Sequence, residues 1–215
     1  LCKPQLQPLF RCRDCCVGET DKKQKQYATE KSKYKFFHDT VYVRQEEYMS
    51  TLEHLYPERV FYYFKQIAAI PHGSGNTKAI SDYLVKFAKE HALTWYQDEA
   101  NNVVLVKEAS KGYEKAPAII IQGHMDMVCE KEKDCNLDMD KEGLRLYVDG
   151  DFLKAEGTTL GGDDGIAVAY ALAILESDEI SHPKLEVVIT VDEEIGMLGA
   201  AVMDLSMLTG HTMLN

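Results

Sequence analysis

The residues best suited to chemistry in this chain fall into three short segments that combine one histidine with several carboxylates. His124 and Asp126 lie in segment 122–128, two adjacent aspartates lie in segment 157–165, and three acids in a row lie in segment 191–197. Imidazole nitrogens and carboxylate oxygens are ligands that Zn²⁺, Mn²⁺ and Co²⁺ accept. The three segments together predict a divalent-metal site, because their combination is far more specific than any one of them.

Each segment also has a simpler structural explanation. A histidine at the end of a strand, such as His124, is commonly only hydrogen-bonded. Asp164 is interpreted as the N-cap of a following helix, and the acids at 192–194 have the composition of a solvated loop. In an extended chain, however, His124 and Asp126 point to the same side, which suits one metal ligand and one carboxylate that orients it.

The elements that must position these segments follow from the hydrophobic periodicity. Apolar residues at helical spacing predict a helix from Pro57 to just before Pro71 and a second helix over 77–91, and segment 165–177 predicts a buried helix. Strands are predicted at 102–106, 118–122, 144–148, 152–155 and 185–191. Strands that alternate with helices indicate an α/β layered domain, in which 118–122 and 185–191 are apolar enough to be central. The acidic segments then lie at strand ends, where ligands commonly bind in such folds.

Two other candidate binding motifs lack their second half. Cys12-x-x-Cys15 has no second cysteine or histidine pair at zinc-ligand spacing, so it is interpreted as part of an unstructured extension. The Gly-Ser-Gly turn at 73–75 lies between two predicted helices and lacks the Gly-Lys-Ser/Thr of a phosphate loop. Nucleotide binding is therefore not expected, and His72 is interpreted as a loop histidine.

Composition and charge limit the class of protein and its partners. The chain has 215 residues, 45% of them hydrophobic and 27% charged, which is an ordinary globular balance. Its net charge of −11 argues against a nucleic-acid partner and favours a small molecule or peptide. The longest uncharged apolar stretch, 165–175, is too short to span a bilayer, and the first residues do not resemble a signal peptide. A cytoplasmic location without membrane contact is therefore expected.

The charge also divides the chain into two parts. Residues 1–48 carry 10 Lys and Arg against 7 Asp and Glu, whereas residues 49–215 carry 14 against 28. The first part is interpreted as a disordered or non-native extension. Codons for the residues before Met49 are compatible with a bacterial ribosome-binding site, which makes Met49 a candidate start.

The three segments together resemble the aminoacyl-histidine dipeptidases, the Xaa-His dipeptidase or peptidase D branch of the co-catalytic zinc peptidases. The matching motifs are Gln-Gly-His-Met-Asp-Met-Val at 122–128, Gly-Thr-Thr-Leu-Gly-Gly-Asp-Asp-Gly at 157–165 and Val-Asp-Glu-Glu-Ile-Gly-Met at 191–197. The resemblance implies that residues 49–215 are the amino-terminal part of a layered zinc-peptidase catalytic domain. That domain has a mixed, mostly parallel central sheet flanked by helices, truncated here at its carboxyl end.

The resemblance also implies a role for each matching residue. His124 would be a ligand of one zinc, oriented by Asp126, and Asp163 would bridge two zinc ions. Glu193 would be the general base and Glu194 a ligand of the other zinc. The implied reaction is metal-dependent hydrolysis of small dipeptides, with His preferred at the second position and with Mn²⁺ or Co²⁺ as possible substitutes for Zn²⁺.

The sequence departs from the family in one respect that leaves alternatives open. Members of the family are more than twice as long, with a second domain, a further carboxylate ligand, a late histidine and a possible homodimer surface. The context of His211 does not support it as a replacement ligand. A tripeptidase or deacylase of the same superfamily, or an inactive metal- or peptide-binding fragment, therefore stands beside the dipeptidase interpretation.

Overall fold

The structure is a computed structural model that describes Leu52 and residues 54–215. Three expectations from the sequence lie outside the described residues: the extension at 1–48, its Cys12-x-x-Cys15 motif and the start at Met49. The predicted helices and central strands all lie inside the described part.

The first two helices form where the apolar periodicity predicts them. Helix α1 spans Glu58–Ala68 and helix α2 spans Lys78–Glu90. Pro57, with φ of −73°, immediately precedes α1, where its fixed torsion angle and missing N–H are tolerated. Both helices bury one apolar stripe in the main core, which includes Val60, Phe64 and Ile67 of α1 and Ile80, Leu84 and Phe87 of α2.

The central sheet has five strands, and the innermost one, at 185–190, is buried at every residue. In chain order they are β1 (Thr94–Gln97), β2 (Val103–Lys107), β3 (Ile119–His124), β6 (Leu185–Thr190) and β7 (Thr212–Leu214). Their spatial order is β1-β2-β6-β3-β7. Strand β6 is antiparallel to β2 and parallel to β3, which is parallel to β7. Since β1 is antiparallel to β2, four of the five strands run in one direction, which confirms the predicted α/β fold.

The two faces of the sheet are covered differently. Helix α3 (Gly162–Glu176) packs with α1 and α2 on one face, in a core that includes Val187 and Ile189 of β6. On the other face Val188 packs with Val104 and Ile120, and this smaller cluster is covered by Met203 and Leu208. Glu186 also points to that second face, since it lies two residues from Val188.

Helix α3 begins irregularly at the acidic segment. Asp163 and Asp164 have non-helical torsion angles, and the peptide bond between them is cis. Regular helix therefore starts at Gly165, as the sequence predicts. The helix is buried on nearly all sides through residues that include Val168, Ala169, Leu172 and Leu175.

Three short elements are absent from the sequence prediction. Strands β1 and β7 are edge strands with largely exposed side chains, so neither shows the alternation that marks a half-buried strand. Helix α4 (Leu198–Val202) has only five residues. The predicted strands at 144–148 and 152–155 form a separate antiparallel hairpin of β4 (Leu146–Asp149) and β5 (Phe152–Ala155). Over Leu52 and residues 54–215, no helix has the length and apolar character needed to cross a membrane.

Candidate metal centre

The register between two parallel strands brings the first and third acidic segments together. His124, the last residue of β3, pairs with Thr190, the last residue of β6. Because parallel strands end at the same edge of a sheet, the turn that follows β6 begins beside the His124 side chain. This edge is the place at which the sequence predicts a ligand site.

His124 presents one ring nitrogen to a group of carboxylates. Its Nδ1 lies 2.9 Å from the backbone oxygen of Asp126, and since a carbonyl can only accept, Nδ1 carries the proton in that contact. Its Nε2 lies 3.2 Å from Oδ1 of Asp163 and 3.9 Å from Oε2 of Glu193. Burial lowers the pKa of His124, but its hydrogen bonds to Asp126 and the nearby charge raise the pKa to about 9 overall.

Asp126 holds the acidic turn as well as the histidine. Its side chain is fully buried, and it accepts hydrogen bonds from the Ser74 hydroxyl at 2.7 Å and from the backbone N–H groups of Glu193 at 3.0 Å and Glu194 at 3.3 Å. Burial raises the pKa of Asp126, but the hydrogen bonds from His124, Ser74 and the two amides lower it to about 2. Asp126 thus stays ionised and fixes the backbone from which both glutamates project.

One imidazole and two carboxylate groups are close enough to bind one metal ion together. The candidate ligand atoms of His124, Glu193 and Glu194 all lie within 4.8 Å of one another. Their chemistry, one imidazole and two carboxylates, is that of known zinc sites and is also accepted by Mn²⁺ and Co²⁺. The residues present therefore fit a divalent metal. Glu193 and Glu194 belong to the same group, so the assignment of one as general base and the other as ligand still rests on the family resemblance.

The second acidic segment approaches the histidine from the start of α3. The Asp163 side chain is 88% exposed, with Oδ1 near His124 Nε2, and it lies outside the three-residue group. Oδ2 of Asp164 accepts the backbone N–H of His124 at 3.2 Å, and its carboxylate also accepts the backbone N–H of Ala167, as an N-cap would. Burial is the main cause that raises the pKa of Asp164. A Cβ added to Gly123 would lie only 2.7 Å from Asp164 Oδ2, so a larger residue there would displace this carboxylate.

Two residues that support the site carried little sequence signal. Ser74 belongs to the glycine-rich turn at 73–75, whose sequence resembles only an incomplete phosphate loop, yet its hydroxyl donates to Asp126. Asn102 is fully buried at the start of β2 and bonds to the acidic turn from the far side. His72 is also buried, with Nδ1 at 2.6 Å from the backbone oxygen of Ile70, and burial is the main cause that lowers its pKa. Its hydrogen-bonded position agrees with the interpretation as a loop histidine.

A groove of about 750 Å³ lies beside the second acidic segment. It is lined mainly by residues 130–132 and 155–159, and none of His124, Glu193 and Glu194 lines it. The hydroxyl of Thr158 is buried there and has no hydrogen-bond partner. The groove and the clustered carboxylates are therefore distinct features of the described part.

The fold and the strand-end site together give an α/β domain with a candidate divalent-metal group at the carboxyl ends of its parallel strands. No protein-family model matches the chain. It is 40% identical to the cytosol non-specific dipeptidase of Escherichia coli over 152 residues, which are 71% of this chain and 31% of that protein. The chain thus spans about a third of the curated dipeptidase that it matches.

Solved structures give the same result. The aminoacylhistidine dipeptidase of Vibrio alginolyticus matches 79% of this chain and 35% of its own, with 38% identity and a TM-score of 0.75. A tripeptidase of Staphylococcus aureus matches 73% of this chain and 42% of its own, with 24% identity and a TM-score of 0.61, and shows a shared fold alone. The chain is a relative of the dipeptidases, and the resemblance predicted from its three motifs is confirmed.

Proposed function

We propose that this chain contributes a metal-binding half-site to a dipeptidase that hydrolyses small peptides, with Xaa-His dipeptides preferred. The observation that carries the proposal is the grouping of His124, Glu193 and Glu194 within 4.8 Å at the ends of two parallel strands. The sequence that supplies this group is 40% identical to a named dipeptidase. Both facts favour a working hydrolytic site in the protein to which the chain belongs.

Each residue has a defined task in this proposal. His124 would bind a metal ion through Nε2, and Glu194 would bind through a carboxylate oxygen. Asp163, whose Oδ1 lies 3.2 Å from His124 Nε2, would bridge two ions. When bound, Zn²⁺ polarises the scissile carbonyl and makes water easier to deprotonate. Glu193 accepts the proton from the attacking water and returns it to the amine nitrogen as the C–N bond breaks. Asp126 keeps His124 and both glutamates in place.

The first test measures metal content and hydrolysis on the same purified samples. We expect up to two zinc ions per chain by plasma mass spectrometry, and retention of metal in Glu193→Gln, whose amide keeps the size of the side chain. For the complete enzyme, hydrolysis of an Xaa-His dipeptide should fall by about 10²- to 10⁴-fold in that variant. Glu90→Gln, which changes an exposed helical glutamate, is the matched control. Absence of bound metal from the wild-type protein, or full activity in Glu193→Gln, would contradict the proposal.

A substrate panel separates the dipeptidase from related amide hydrolases. Xaa-His dipeptides should be cleaved faster than other dipeptides, tripeptides and N-acyl amino acids when each is assayed with added Zn²⁺, Mn²⁺ or Co²⁺. Preference for a tripeptide or an N-acyl substrate would replace the proposed specificity while retaining the metal chemistry. Metal binding with no turnover of any substrate would support the inactive-fragment alternative.

The proposal also includes a location and an assembly. The relative from Escherichia coli is described as a cytosol enzyme, which favours the cytoplasm for this protein. A homodimer is proposed for the longer protein on the family resemblance, and size-exclusion chromatography with light scattering tests it.

A further inference from the structure

We propose that Asn102 is a positioning residue for the acidic segment 191–199, and that Asp98 fixes the orientation of its carboxamide. The consequence for metal binding rests on the proposed function, whereas the positioning itself does not. Asn102 carries no charge and lies outside the three motifs, at the first buried position before β2.

The Asn102 side chain bonds to both ends of the segment that carries the two glutamates. Its Oδ1 accepts the backbone N–H of Val191 at 3.0 Å, and its Nδ2 donates to the backbone oxygen of Gly199 at 3.0 Å. A single carboxamide therefore closes the base of a nine-residue segment. The acceptor and the donor are both needed, since one end offers an N–H and the other a carbonyl.

Asp98 determines which way the carboxamide faces. Its Oδ2 accepts from Asn102 Nδ2 at 2.7 Å, while its Oδ1 accepts the backbone N–H of Asn102 at 2.8 Å. A carboxylate only accepts, so the amide nitrogen must face Asp98 and Gly199, and Oδ1 is left to face Val191. The orientation of the Asn102 amide thus follows from its partners.

The base of the segment is too tight for a larger residue at Gly199. A Cβ added there would lie 2.3 Å from the backbone oxygen of Val191 and 2.5 Å from Asn102 Oδ1. The N–H of Gly199 donates to that same Val191 oxygen at 3.1 Å, which brings the two ends into direct contact. Asn102 and Gly199 therefore act together at one close junction.

The rest of the segment has little apolar packing to hold it. Ile195, Met197 and Leu198 are each more than half exposed. Polar contacts hold the remainder: Asp126 accepts the two glutamate amides, and the backbone N–H of Gly75 donates to Asp192 at 2.7 Å. Because hydrogen bonds rather than packing fix this backbone, loss of the Asn102 contacts should displace or loosen the glutamates.

Two variants separate this role from general stability. Asn102→Leu keeps a side chain of similar size but removes the hydrogen bonds that Asn102 makes with the buried Val191 N–H and Gly199 carbonyl. Val104→Ala is the matched control, since Val104 lies two residues further along in β2, is equally buried and packs with Val188 and Ile120 instead. Circular dichroism selects conditions under which both variants are folded. Asp98→Asn, which relaxes the carboxamide orientation more gently, replaces Asn102→Leu if the latter does not fold.

Hydrogen exchange of the metal-free protein tests the positioning directly. We expect peptides covering 191–199 to exchange at least about tenfold faster in Asn102→Leu than in the wild type, with no such change in Val104→Ala. Equal exchange of this segment in Asn102→Leu and the wild type would overturn the inference.

Zinc titration by calorimetry then tests the consequence for the site. Asn102→Leu should weaken zinc binding by about 10- to 100-fold, as changes to supporting residues of metal sites typically do, while Val104→Ala should bind as the wild type does. Asn102→Asp should weaken binding more, because two carboxylates then face each other, and adding Asp98→Asn should recover part of the loss. Wild-type-like affinity in Asn102→Leu would refute the functional part. Absence of zinc binding in the wild type, with faster exchange in Asn102→Leu, would refute the proposed function and uphold the positioning role.

Discussion

A buried carboxylate lies near each end of strand β6, and both carboxylates accept hydrogen bonds from the same kinds of donor. Asp126, beside the carboxyl end, accepts from the Ser74 hydroxyl, two backbone amides and the His124 ring. Glu186, near the amino end, accepts from the Thr209 hydroxyl, two backbone amides and Lys184. Both side chains are fully buried. Burial raises the pKa of both carboxyl groups, but the hydrogen bonds that each accepts outweigh this effect. The pKa of each therefore falls to about 2.

The difference lies in the cation and in what each turn carries. The cation beside Glu186 is Lys184, whose Nζ donates to Glu186 Oε1 at 2.8 Å. The turn whose amides Glu186 accepts leads into β7, so Glu186 serves the sheet. The neighbour of Asp126 is His124, whose Nε2 faces carboxylates, and the turn that Asp126 holds carries Glu193 and Glu194. A buried carboxylate that accepts backbone amides therefore supports stability at one end of β6 and a candidate active site at the other.

The largest expected effect comes from the structural end. Glu186→Ala leaves the N–H groups of Thr209 and Gly210 and the Lys184 ammonium without their acceptor, so we expect the free energy of unfolding to fall by about 3 kcal/mol. Urea denaturation measures it. Zinc affinity of the folded variant should stay within about twofold of wild type. A large loss of zinc affinity with unchanged stability would reverse the assignment of roles.

The pKa of Glu186 adds an acid test to the same end. Its pKa falls from 4.5 when unfolded to about 2 when folded, so its contribution to stability is complete above 4.5 and is lost as pH falls toward 2. Glu186→Gln should flatten the dependence of the unfolding free energy on pH in that window. An unchanged pH dependence in Glu186→Gln would show that other groups control acid unfolding.

The functional end should respond in metal affinity. Asp126→Ala removes the acceptor for the Glu193 and Glu194 amides and frees the His124 ring, so we expect zinc binding to weaken by about 100-fold. Calorimetric titration measures this, with Glu186→Ala as the matched loss of a buried carboxylate. Affinity within twofold of wild type in Asp126→Ala would show that Asp126 does not support the metal site.

The His124 pKa predicts how metal uptake depends on pH. Because the metal-free ring has a pKa of about 9, it must lose a proton to bind zinc at neutral pH. The association constant should therefore rise about tenfold per pH unit from 7 to 8 and level off above 9. Calorimetry in buffers of different ionisation enthalpy should show about one proton released per His124-bound metal at pH 7.5. Binding that does not change with pH would exclude this histidine as the titrating ligand.

The smallest change in stability is expected for an exposed ion pair, Arg59 and Glu176. Arg59 donates from two nitrogens to Glu176 at 2.6 Å each and joins α1 to α3, but the Arg59 side chain is 49% exposed. Water screens this pair, so Glu176→Gln should lower the free energy of unfolding by about 0.5 kcal/mol. Thermal denaturation should show a shift several-fold smaller than that of Glu186→Ala. An equal shift would mean that burial does not decide the strength of these contacts.

Elements with a strong local pattern were predictable from the sequence. Helices α1 and α2 follow from apolar residues at helical spacing, and β6 follows from a largely apolar, β-branched segment that the structure buries completely. Strands β1 and β7 were missed, because their exposed side chains carry no alternation. For β7 the pairing partner, β3, also lies far away in the chain. The hairpin of β4 and β5 was predicted as two strands, but its separation from the main sheet was not.

The candidate site divides in the same way. Local motifs were enough to single out His124 and the paired acids, since these residue types are chemically distinctive. Ser74 and Asn102 were not predicted as supports, because a serine in a glycine-rich turn and an asparagine before a strand are common in any protein. Their partners are 52 and 89 residues away, and contacts of that kind leave no local signal.

The sequence by itself determined the ligand types, the apolar faces of the helices and the central strands, and the relationship to the dipeptidases. These properties are local, since they depend on residue chemistry and on spacings of two to four residues. Only the tertiary structure decided that His124 meets Glu193 and Glu194, and that Asp126 and Asn102 hold their backbone from two sides. The physical reason is strand pairing. The parallel register of β3 and β6 places the carboxyl ends of two strands that are distant in sequence at one edge of the sheet, where buried hydrogen-bond acceptors fix the geometry of the residues that follow.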